Sequence, residues 1–124
     1  MSSIALQIGL VDFPEPTLLI LGDAESFFWF AQEISSRRHV TLDHRGTRLS
    51  VVPTASSGSL AQDGAQFTWE ISATEALFVA GQLSALAASG SPAHHYLDPE
   101  RNETGVQIIA SLGEYDARVL AGSA

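Results

Sequence analysis

Val40-Thr41-Leu42-Asp43-His44-Arg45-Gly46-Thr47-Arg48-Leu49-Ser50-Val51 is the stretch that decides the fold. If Arg45-Gly46 is a two-residue turn, Val40 faces Val51, Leu42 faces Leu49 and Asp43 faces Arg48. Two apolar pairs then share one face and a charge pair takes the other, so a single register satisfies both faces of an antiparallel hairpin. Arg-Gly is weaker turn chemistry than Asn-Gly, and here the pairing carries the reading.

Upstream, Ile4, Leu6, Ile8 and Leu10 alternate with smaller or polar residues and read as a half-buried strand. Pro14-Glu15-Pro16 breaks the chain, and Thr17–Leu21 is an apolar run suited to a strand covered on both faces. Asp23 is a good N-cap for a helix over about 24–37, with Glu25 in its first turn and Arg37 and Arg38 in its last. Downstream, Pro53–Ala65 is rich in Ser, Gly and Ala and reads as a flexible surface loop. Gln66–Ser72 alternates, with Phe67, Trp69 and Ile71 inward. Ser72 and Glu75 have capping-box spacing for a second helix that stops at Gly90, and Ala76, Val79, Ala80, Leu83, Leu86 and Ala87 form its core stripe. Strands near 94–97 and 106–112 follow, then a turn of helix over 116–120. The order is ββαβββαββ, and the expected architecture is one α+β domain over 1–124, a mostly antiparallel sheet with two helices on one face. The sequence shows no internal repeat or linker.

Composition excludes more than it assigns. The chain has 124 residues, 45% of them hydrophobic, with 14 acidic against 6 basic residues and a formal charge of −8. Such a balance argues against nucleic-acid backbones and anionic membrane surfaces, both of which need a basic patch. No cysteine is present, which excludes disulfides, thiol catalysis and cysteine metal sites. All the basic residues are arginine, so lysine Schiff bases and P-loops are excluded as well. Nothing at the start resembles a secretory signal, and no apolar run is long enough to span a membrane, so a cytoplasmic protein is expected.

Candidate chemistry is sparse. His39, Thr41 and Asp43 alternate along one predicted strand, with Arg48 and Ser50 opposite, so His39, Asp43 and Arg48 could form a polar site; a solvated, cross-paired sheet face explains the same residues. His94 and His95 are adjacent strand residues pointing to opposite faces, so no metal site is expected, while His95 stays a candidate polar contact. There is no Gly-x-Ser-x-Gly elbow and no phosphate-binding glycine loop, and the acidic pairs Asp98/Glu100 and Glu114/Asp116 look like surface residues. No catalytic residue and no cofactor is assigned. Phe28 and Trp29 in the first helix, and Leu77 and Phe78 in the second, are surplus to each core stripe. Large apolar residues outside the stripe either widen the core or mark a partner or dimer interface.

His94-His95-Tyr96-Leu97-Asp98, Val106-Gln107-Ile108-Ile109 and Gly113-Glu114-Tyr115 resemble the C-terminal hairpin of small acidic bacterial proteins, some grouped with polymorphic-toxin immunity proteins. The resemblance implies a non-catalytic protein that neutralises a cognate toxin, and it carries no site residues. Read by themselves, Tyr96 and Tyr115 are expected to pack within the hairpin. The expected function is therefore a non-catalytic protein-binding domain, its partner a second copy of itself or a basic toxin, with a homodimer the simplest assembly. A small-molecule binder or small enzyme with a helix–sheet cleft is the alternative.

Overall fold

A computed structural model of the chain describes residues 6–90, 92–115 and 118–121. The chain runs β1 (Gln7–Phe13), β2 (Glu15–Gly22), α1 (Ala24–Ser35), β3 (Val40–His44), β4 (Thr47–Pro53), β5 (Ser59–Asp63), β6 (Gln66–Ile71), α2 (Ala73–Ala88), β7 (Ala93–Leu97), β8 (Gln107–Leu112) and α3 (Arg118–Ala121). The deciding hairpin forms in the expected register: Val40 faces Val51, Leu42 faces Leu49 and Asp43 faces Arg48. Arg45 and Gly46 both take positive φ, 53° and 86°, as a primed two-residue turn requires.

The strands form two four-stranded sheets, β1-β2-β8-β7 and β3-β4-β6-β5. In each, two antiparallel hairpins meet at a central parallel pair, β2 with β8 and β4 with β6. The topology is thus one ββαββ unit used twice. The first hairpin of each unit pairs with the second hairpin of the other. The registers agree: Leu18 and Ile20 on β2 face Ile108 and Ala110, and Phe67 and Trp69 on β6 face Leu49 and Val51. Aligning the N-caps Asp23 and Ser72 sets Phe27 on Ala76, Phe30 on Val79 and Ile34 on Leu83, all of them buried. This repetition is absent from the sequence because the matched positions share apolarity and little else.

One face of each sheet joins α1 and α2 in a single core, with Leu18, Ile20, Leu49, Val51, Phe67, Trp69, Phe27, Phe30 and Leu83 at its centre. The helices lie along one another, and Ala24, Glu25 and Phe28 at the start of α1 border Ser84, Ala87 and Ala88 at the end of α2, so they run antiparallel. A smaller cluster on the outer face of the first sheet, Val11, Leu19, Leu21 and Ile109, is covered by Leu120 of α3. That cover explains the continuous apolar runs of β2 and β8, which are buried on both sides. Gly9 leaves room for it, since a Cβ there would lie 3.1 Å from Leu120.

The α+β class, the mostly antiparallel pairing and both long helices match the sequence reading, and four features differ. The sheet is divided in two. Residues 59–63, read as loop, form β5, which pairs with β6 through a turn at Gly64 (φ 63°) and whose Leu60 N–H donates to the Arg101 carbonyl. The chain reverses at Pro14 alone, while Pro16 pairs with Asp12 below the point where β8 begins, so β2 loses no ladder bond to β8 by its missing N–H. α1 ends at Ser35, before the arginines: Arg37 takes φ 61° and its guanidinium donates to the Ile71 and Thr54 carbonyls at 3.0 and 2.9 Å, tying α1 to the ends of β6 and β4. Ile4 and Asp116, placed in a strand and a helix by their patterns, lie outside the described residues.

Candidate functional site

Both helices start on the caps the sequence names. Asp23 accepts from the Ser26 N–H at 2.8 Å, and Ser72 Oγ accepts from the Glu75 N–H at 3.2 Å. These caps fix which residues turn outward. Phe28, Leu77 and Phe78 are 52%, 69% and 66% exposed, while Trp29 is half-buried, packed on the core with its ring stacked 6.5 Å from Phe30. With the caps aligned, Phe28 and Trp29 correspond to Leu77 and Phe78, and three of these four, all but Trp29, stand exposed on one helix layer. The exposed positions of α2, among them Thr74, Leu77, Phe78, Gly81, Ala85 and Ala88, carry no charge, and its one charged residue, Glu75, is buried.

The four residues of the predicted polar site are not brought together. His39 is exposed ahead of β3, and Asp43 pairs with Arg48 across the hairpin at 2.9 Å with both side chains about half exposed. His95 lies in the other sheet, half-buried on the core side opposite Ala110. The separation of His95 from the other three is a matter of sheet assignment, which strand patterns alone do not encode. Thr41 and Ser50, whose hydroxyls lie 3.4 Å apart, complete a solvated outer face beside the Asp43–Arg48 pair. Among the described residues no group of three or more His, Asp or Glu could hold a metal. No described helix is long and apolar enough to cross a membrane.

Two constellations were not assigned from the sequence. The first is a buried junction at the start of α2. Glu75, 5% exposed, accepts the Glu100 N–H on Oε2 at 2.8 Å, and Glu100 Oε1 accepts the Gly58 N–H at 2.7 Å. Glu75 Oε1 and Trp69 Nε1 are both buried there, and the Trp69 indole acts on the carboxyl as a weak donor that lowers its value against the larger rise from burial. Burial, reinforced by the neighbouring Glu100 charge, holds the Glu75 carboxyl above its ordinary value. The junction ties α2, the entry to β5 and the β7–β8 connection together. The second constellation lies on the outer face of the first sheet, where the Glu114 carboxylate meets His94 Nδ1 and Ser111 Oγ, each at 3.0 Å. The hydrogen bond from His94 keeps that carboxyl below its ordinary value. The motif residues His94, Tyr96, Ile109, Glu114 and Tyr115 are gathered here, so the signal was present in sequence but its convergence was not.

No family model matches the chain, and no curated protein matches it. Among solved structures it is similar to Drosophila Suppressor of Fused, with a TM-score of 0.45 and 12% identity over 93% of this chain and 27% of that one.

Proposed function

We propose that this chain is a non-catalytic protein-binding domain whose partner sits on the solvent side of the α1–α2 layer. The observation that carries the reading is α2, a sixteen-residue helix apolar on both faces and uncharged on its exposed one. A helix apolar all round is ordinarily a buried one. Covering the two thirds of Leu77 and Phe78 that stands exposed would contribute about 1–2 kcal/mol each. The concrete form of the reading is an immunity-type protein of the bacterial cytoplasm that neutralises a basic toxin. The net charge of −8 supports it, because an acidic binder is steered toward a basic partner while the apolar face supplies affinity. A second copy of the chain is the other occupant such a face would accept.

The test is affinity purification of the tagged chain from its own host cytosol, beside a Leu77→Ser/Phe78→Ser variant, with mass spectrometry of both eluates. A stoichiometric basic protein held by the wild type and lost from the folded variant is the expected result. Equal retention by both would remove the helix layer from the account, and an eluate holding only this chain would remove the toxin.

A further inference from the structure

We propose that the outer face of the sheet β1-β2-β8-β7 carries a binding site for a small organic cation, an alkylammonium or guanidinium group. The site lies on the opposite side of the sheet from the helix layer and goes beyond the protein-docking reading. It is a cleft of about 250 Å³ lined by Phe13, His94, Tyr96, Ile109, Glu114 and Tyr115. Two ring pairs form its walls: Phe13 with Tyr115, centroids 5.5 Å apart, and His94 with Tyr96, 5.9 Å apart and nearly perpendicular. Tyr96 and Tyr115 are 49% and 45% exposed, so part of each ring is open to a ligand.

A carboxylate stands among these rings in a fixed position. Glu114 is held from two sides, by Ser111 Oγ and by His94 Nδ1. An ionised carboxylate only accepts, so His94 turns an Nδ1 proton toward Glu114. Two hydrogen bonds leave Glu114 with spare acceptor sites for a donor in the cleft. Aromatic faces attract a cation through their quadrupoles, and a carboxylate beside them adds charge complementarity. An anion is opposed both by Glu114 and by the net charge of the chain. A purely apolar ligand would desolvate the carboxylate and leave its spare acceptor sites unfilled.

The experiment follows the Tyr96 and Tyr115 ring resonances by NMR while the full chain is titrated with choline, with its uncharged isostere 3,3-dimethylbutan-1-ol, and with ethylguanidinium. Saturable shifts at both rings are expected for the cations, with the alcohol at least about tenfold weaker. Glu114→Gln should reduce that preference for charge to the part the rings supply, and Tyr115→Leu should weaken both cations while the backbone spectrum outside the cleft stays unchanged. A blocked Gly-Arg-Gly peptide separates the sources: tighter binding than ethylguanidinium assigns the site to an arginine of a partner, weaker binding to a free cation, and either supports the proposal. Equal affinity for choline and the alcohol would overturn it, as would the absence of any saturable shift into the tens of millimolar.

Discussion

Replacing Glu75 by glutamine should stabilise the protein by about 1 kcal/mol above neutral pH and have little effect in acid. The carboxyl is buried beside Glu100, and its folded value is raised above the ordinary 4.5. The folded state therefore keeps the Glu75 proton to higher pH than the unfolded chain does. Its contribution is fully present below the ordinary value and is lost as pH rises through the raised one. Once ionised, Glu75 keeps the bond from the Glu100 N–H at 2.8 Å but suffers desolvation and the like charge of Glu100. Glutamine retains the acceptor and turns a charge-assisted bond into a neutral one, a loss of about 1 kcal/mol. Relief of the buried charge returns on the order of 2 kcal/mol, which sets the sign and the size of the net effect. Urea unfolding followed by tryptophan fluorescence, at about pH 4 and about pH 8, measures the difference. A variant less stable than wild type at the higher pH would refute the reasoning, because the ionised carboxylate would then be a net stabiliser.

Gly58→Ala should destabilise by at least about 2 kcal/mol in the same assay, since a Cβ there would overlap the Glu70 carbonyl and the Glu75 carboxylate, and the backbone atom cannot move without disturbing β6. Asp23→Ala removes the acceptor for the Ser26 N–H and should cost about 1 kcal/mol, read as a lower melting temperature. Asp43→Asn should change stability by no more than about 1 kcal/mol, as for an exposed pair, and a larger loss on denaturant titration would mean the hairpin face is not solvated as described.

The hairpin over residues 40–51 was legible because both of its faces constrain the register, and both helices were legible because caps and apolar stripes agree. β5 was not. It turns one fully buried residue, Leu60, inward, and its pairing depends on β6 and on the Arg101 carbonyl, far along the chain. The parallel joins of β2 to β8 and β4 to β6 are likewise nonlocal, so no window of sequence separates one divided sheet from one continuous one. On the helix layer, Phe28, Leu77 and Phe78 could be named from helical spacing, whereas the half-burial of Trp29 depends on how its ring lies against Phe30. Glu75 was hidden by its own motif: capping-box spacing suggests an exposed first-turn acid, and the connection carrying Glu100 buries it. His94 and Glu114 sit far apart in sequence, and only the β7–β8 pairing with the turn after β8 joins them.

The helix layer as a protein interface is tested most directly by light scattering on the purified wild type and the Leu77→Ser/Phe78→Ser variant, each taken from the native host. The account predicts a wild-type assembly heavier than the 13.2 kDa chain and a variant that runs as the single chain with unchanged helix content. A wild type that runs as the single chain at every concentration, indistinguishable from the variant, would contradict it.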